Sequence, residues 1–125
     1  MKLGLTKILA AIFVVGLFSQ VSLADRASAQ KTVAGIVGSM SHFPSDEQKA
    51  ELMAIAGDES AGRGMQMIAE AVGNIAHAAN AEGKEAMSQI IASDGAPDEI
   101  KALAGVVMGF NHMASAEDKE LLAGL

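Results

Sequence analysis

The sequence predicts an all-α fold made of tandem helical hairpins with a 35-residue period, placed after an N-terminal signal peptide. Three observations predict this fold: an uncharged apolar segment near the N-terminus, three evenly spaced histidines, and apolar residues at helical spacing between them. Trp and Tyr are absent from the 125 residues, so the core must consist mainly of Ala, Ile, Leu, Val and Met. Such a core suits closely packed helices better than sheets, which favour aromatic and β-branched side chains.

The N-terminal segment has the pattern of a secretory signal peptide. Lys2 and Lys7 precede an uncharged apolar run at residues 8–18, and small and polar residues follow it. The run is too short to span a bilayer comfortably, because a transmembrane helix needs about 20 apolar residues. We therefore expect no stable membrane insertion once this segment has been removed.

Small residues place the predicted cleavage after Ala24 or Ala29. The corresponding organisation is a signal peptide at residues 1–29 and a helical-hairpin repeat domain at residues 30–125, with the mature protein periplasmic or secreted. Cysteine is absent from the sequence, which excludes a disulfide framework, a lipid-modified N-terminus and covalently attached c-type haem.

The mature domain is acidic. Loss of the two positive charges of Lys2 and Lys7 changes the formal net charge from −6 to −8. Such a surface is repelled by nucleic-acid phosphates and by anionic lipid headgroups. The composition therefore argues against both as partners and favours a soluble domain.

The interval between the histidines is an internal repeat. His42, His77 and His112 are separated by 35 residues each time, and the flanking residues align without gaps. The coinciding positions are Ala34, Ala69 and Ala104; Val37, Val72 and Val107; Glu47, Glu82 and Glu117; Lys49, Lys84 and Lys119; Leu52, Met87 and Leu122; and Ile55, Ile90 and Leu125. So many matches in one register indicate duplication of a single unit.

Each repeat unit has the pattern of two helices joined by a short connection. In the middle copy, an apolar stripe with helical spacing leads up to the histidine and consists of Met65, Ile68, Val72 and Ile75. The predicted helices cover residues 31–43, 45–56, 61–78, 80–92 and 97–113, with a half-length sixth piece from residue 115.

Capping residues mark where the helices begin. Ser45, Asn80 and Ser115 occupy equivalent places after the histidines, and each side chain can accept a hydrogen bond from the free N–H groups of a new helix. Ser45 and Gln48 also have the spacing of a capping box. Pro97 suits a first helical turn, where its missing N–H is not needed.

The helix order leaves the architecture open between a small solenoid-like array and a compact bundle. The chain starts with the second half of a unit and finishes with the first half of another, so we expect the terminal helices to cap the stack. The tetratricopeptide signature, which shares this range of periods, is missing.

The histidines admit a structural and a chemical interpretation. In the last turn of a helix, an imidazole can donate to free carbonyls and, when protonated, complement the helix dipole. Alternatively, imidazole and methionine thioether can bind copper or zinc. Met108 and His112 are four residues apart in a predicted helix and therefore share a face, and folding would add His77, so these three are the candidate metal ligands. All three histidines could share one ion only in a closed bundle, because equivalent residues of an open stack lie roughly 10 Å apart.

A catalytic set is not evident, because there is no cysteine nucleophile and no serine–histidine pair with a third partner. We therefore expect a non-catalytic binding or interaction module without a required cofactor, with another protein as its partner. The alternative is a periplasmic metal-binding protein that uses copper or zinc. The candidate partner-binding residues recur at one level of each unit and are His42, His77, His112, Lys49, Lys84 and Lys119. The sequence leaves the oligomeric state open.

Overall fold

A computed structural model describes residues 26–125, and most of the predicted signal peptide lies outside this range. Between residues 26 and 125 the protein is all-helical, with six α-helices and no strand, which confirms that the fold is all-α. The helices are α1 (26–39), α2 (Asp46–Ala56), α3 (Arg63–Gly73), α4 (Ala81–Ala92), α5 (Asp98–Gly109) and α6 (Ala116–Ala123), and a 3₁₀ turn at Glu59–Ala61 precedes α3. None of the helices in this part of the chain has the length and apolar character needed to cross a bilayer.

The capping residues begin their helices as predicted. The side chains of Ser45, Asn80 and Ser115 accept hydrogen bonds from backbone N–H groups three residues further on, at 3.2, 2.7 and 3.1 Å. At α2 the Gln48 side chain also accepts from the Ser45 N–H at 2.9 Å, which completes the capping box. The starts of α2, α4 and α6 are therefore determined by local sequence.

The helices pack in three pairs, and neighbouring pairs contact each other. α2 packs against α3 and α4 against α5, while α3 also contacts α4 and α5. The terminal helices form a third pair: Leu122 of α6 lies beside Gly38 of α1, and the Leu125 carbonyl accepts a hydrogen bond from Gln30 Nε2 at 3.5 Å. The terminal helices thus pack on each other instead of capping the two ends of an open stack.

The core lies between α1, α3 and α5, the helices that lead to the histidines. Their buried residues occur at equivalent steps and include Val33, Ile68 and Leu103; Ala34, Ala69 and Ala104; and Val37, Val72 and Val107. The partner helices add Leu52, Met87 and Leu122. Burial of each larger aliphatic side chain stabilises the fold by about 1.5–3 kcal/mol, so the core holds the three connections beyond it in fixed positions.

The helices that lead to the histidines end earlier than the sequence pattern predicts. α1, α3 and α5 end at residue 39, Gly73 and Gly109, whereas the predicted ends were residues 43, 78 and 113. The apolar pattern runs on because Met40, Ile75 and Phe110 are still buried beyond the helix ends. The helical backbone ends before each histidine, because the histidine has a positive φ, which lies outside the α-helical region.

Candidate functional site

The three connections after α1, α3 and α5 meet at their histidines. His42, His77 and His112 have φ angles of 70°, 71° and 68°, and they are the positive-φ residues other than glycine in the described part of the chain. The His42 N–H donates to the His112 carbonyl, the His77 N–H to the His42 carbonyl, and the His112 N–H to the His77 carbonyl. The three backbones therefore form a closed triangle of hydrogen bonds between segments that are distant in sequence.

The imidazole rings cluster on the solvent side of this triangle. The ring centroids of His42 and His77 are 5.0 Å apart, those of His42 and His112 are 5.3 Å apart, and those of His77 and His112 are 5.1 Å apart. All three residues are exposed. Within residues 26–125 the imidazole nitrogens form no hydrogen bond, so the rings contact one another with their nitrogen atoms available to a ligand.

The backbone conformation at these positions is unfavourable for a side chain with a β-carbon. A left-handed conformation costs such a residue roughly 1–2 kcal/mol, and glycine adopts it without that steric cost. Histidine nevertheless stands at all three equivalent positions, although the rings neither fill the core nor bond to the protein. Backbone strain of this kind concentrates at functional sites. The three histidine positions are therefore the candidate functional site.

Two large apolar side chains lie next to the histidines. Phe43 is 57% exposed and Met113 is 51% exposed, and each directly follows its histidine. The equivalent residue of the middle connection is the smaller, half-buried Ala78. We call the surface formed by His42, His77, His112, Phe43 and Met113 the histidine face. It combines nitrogen ligands with an apolar margin at one end of the helical bundle.

The sequence-predicted metal ligands are only partly brought together. The folded chain places His77 beside His112, as the metal hypothesis required, and adds His42, which that hypothesis left out. Met108 was paired with His112 through helical spacing, but α5 ends at Gly109, so this spacing does not extend to the histidine. The Met108 Sδ instead accepts a hydrogen bond from Ser88 Oγ of α4 at 3.5 Å.

The structural interpretation of the histidines does not fit their positions. It required imidazoles in the last helical turn, donating to the free carbonyls there. The three residues lie beyond the helix ends, and the imidazoles donate to no carbonyl within residues 26–125. The contacts that the imidazoles do make are with one another.

Two of the three ring pairs are edge-to-face and the third is tilted. The planes of His42 and His77 meet at 72°, those of His42 and His112 at 90°, and those of His77 and His112 at 48°. In these orientations, the residues from 26 onwards include no group of three or more His, Asp or Glu side chains arranged to hold a metal ion. Binding of an ion therefore requires the rings to turn.

The predicted lysine row is exposed in the second turn of α2, α4 and α6. The backbone N–H groups of Lys49, Lys84 and Lys119 donate to the carbonyls of the capping residues at 2.8, 2.9 and 2.9 Å. This places the lysines at one level of the three helices, close to the end that carries the histidine face. Their role in binding a partner stays a prediction.

The chain matches no protein-family model, no curated protein and no solved structure.

Proposed function

We propose that the protein is an exported, non-catalytic binding module in which three copies of a 35-residue helical hairpin close into a ring. The equal spacing of His42, His77 and His112 supports this architecture. The left-handed conformation recurs at each of these residues, and equivalent residues are buried in α1, α3 and α5. In this arrangement α6 and α1, from the two ends of the sequence, correspond to the first and second helices of the third hairpin.

The observation that carries the proposal is the histidine face. Three imidazoles are held together, in a strained backbone conformation, on a surface where they contribute nothing to the core. The sequence has no cysteine nucleophile and no serine–histidine pair with an evident third partner, which acyl transfer would need. Recognition of a ligand accounts for the strain better than catalysis does.

The apolar margin of the face favours another protein as the partner. Phe43 and Met113 are large side chains of the kind enriched at the centres of protein interfaces. Nucleic acid and anionic membranes are poor partners for a domain with a net charge of −6 or below. Lys49, Lys84 and Lys119 would lie at the polar rim of such an interface.

Export is proposed from the N-terminal sequence, and the fold bears on the cleavage position. α1 already includes residues 26–29, and Ala29 is only 6% exposed and belongs to the core. Cleavage after Ala29 would remove residues 26–29 of α1, whereas cleavage after Ala24 would keep them. We therefore favour Ala24 as the end of the signal peptide. Mass spectrometry of the exported protein tests this directly.

A photo-cross-linking experiment tests the binding face. A benzophenone amino acid is placed at position 43 in the histidine face and, as a matched control, at position 53 on α2, because Phe43 and Met53 are similarly exposed at 57% and 66%. Cells that produce each variant are irradiated, and covalent adducts are identified by mass. Adducts of defined mass at position 43 and none at position 53 support the proposal. No adduct at position 43, or the same adducts at both positions, contradicts it.

A further inference from the structure

We infer that His42, His77 and His112 bind a single divalent transition-metal ion, zinc or copper, on the histidine face. This inference rests on the proposed function, which assigns the same face to ligand binding. It differs from the sequence-based metal hypothesis, because it includes His42 and requires no thioether from Met108.

The spacing of the rings matches what one ion needs. With bonds of about 2.0–2.1 Å and near-tetrahedral angles, three imidazoles on one zinc ion hold their ring centroids roughly 5 Å apart. The three centroid separations in this protein are 5.0, 5.1 and 5.3 Å. The folded backbone has therefore already brought the three rings to the required separation, and the triangle of backbone hydrogen bonds maintains it.

Rotation of the rings is the remaining step. As the side chains stand, residues 26–125 include no group of three or more side chains that could hold a metal ion, so the rings must turn to bring three nitrogens to one point. The three residues are exposed and their imidazoles form no hydrogen bond within that range, so no bond has to break when a ring turns. Exposed side chains change rotamer within nanoseconds. The ion would therefore replace ring-to-ring contacts with bonds to nitrogen.

The ligand set selects the class of metal. Imidazole nitrogen suits zinc and copper, whereas calcium and magnesium require oxygen ligands, which the three rings do not supply. The negative net charge of the chain attracts cations to its surface. Three protein ligands on an exposed face leave a further coordination position directed outward. A side chain of the partner could occupy that position, next to Phe43 and Met113.

Titration of the untagged protein with ZnCl₂ and, separately, CuCl₂ tests the inference by calorimetry. The informative variants are His42→Asn, His77→Asn and His112→Asn, because asparagine removes the imidazole and tolerates the left-handed backbone. Met108→Leu is the matched control, since it removes the alternative ligand and leaves the histidine face intact. Thermal unfolding of each variant shows whether it folds, and a variant that fails to fold is replaced by the corresponding glycine substitution, which the positive φ also allows.

We expect one ion per chain, at least tenfold weaker binding in each single asparagine variant, and unchanged binding in Met108→Leu. Binding no tighter than micromolar for both metals would overturn the inference, as would full affinity in any one of the folded asparagine variants. If the cross-links at position 43 persist while neither metal binds, the proposed function stands and only the metal is rejected. If one ion binds but no cross-link forms, the metal stands and the protein partner is rejected.

Discussion

Substitution of His77 offers a sharp test of the backbone conformation on which the site depends. His77→Gly and His77→Ala both remove the imidazole and its contacts with His42 and His112, so these losses cancel when the two variants are compared. The variants differ in the cost of the left-handed backbone, where φ is 71°. That cost is roughly 1–2 kcal/mol for alanine, while glycine loses about 0.5–1 kcal/mol more conformational entropy on folding.

We therefore expect the glycine variant to be the more stable of the two by about 0.5–1 kcal/mol. Urea unfolding followed by circular dichroism measures this difference, and thermal unfolding should show it as a higher melting temperature, by several degrees for a domain of about 100 residues. Lys84 in α4 supplies the control. At this exposed helical position the Lys84→Gly protein should be less stable than the Lys84→Ala protein by about 1 kcal/mol. If alanine proves as stable as glycine at position 77, the left-handed conformation is not present in solution and the strain argument fails.

Four further substitutions test the capping, the backbone and the closure of the fold, each by urea unfolding. Ser45→Ala removes the hydroxyl that accepts from the Gln48 N–H, whereas the backbone N–H of residue 45 can still donate to the Gln48 side chain. The loss should cost about 1 kcal/mol, and an unchanged midpoint would show that the serine cap contributes nothing. Gly105→Ala should stabilise α5 by about 0.5–1 kcal/mol because a Cβ there meets no atom within 4 Å. Gly62→Ala should instead destabilise the protein because the φ of Gly62 is +88°. Stability changes of the same sign in the two variants would contradict this contrast. Leu122→Ala should cost about 2–3 kcal/mol through lost packing against α1, and a loss below about 1 kcal/mol would mean that α6 is not docked there.

The helix starts could be predicted from sequence because the interactions that determine them are local. Ser45, Asn80 and Ser115 each bond to an N–H three residues away, so the relevant partners stand side by side in the sequence. The apolar stripes likewise identified the buried faces of the helices, since residues such as Ile68 and Val72 are fully buried.

The helix ends and the candidate site could not be predicted in the same way. Burial of Ile75 and Phe110 continues the apolar pattern past the point where the backbone leaves the helix, so periodicity alone extends the helices too far. The left-handed turn at each histidine depends on hydrogen bonds to the other two connections, which lie 35 or more residues away. Equal spacing identified the histidines as equivalent, but only closure of the chain makes them neighbours.

The pairing of α1 with α6 has a consequence for how the protein folds. The α2–α3 and α4–α5 pairs join residues that are close in sequence, whereas the bond from Gln30 to Leu125 spans 95 residues. Local contacts form early because little chain entropy is lost in making them, while joining remote segments is slow. We expect the α2–α3 and α4–α5 hairpins to form first and the contacts between α1 and α6 to form last. Since the backbone triangle includes His42, directly after α1, the last kinetic phase of refolding should also be the one that assembles the imidazole cluster.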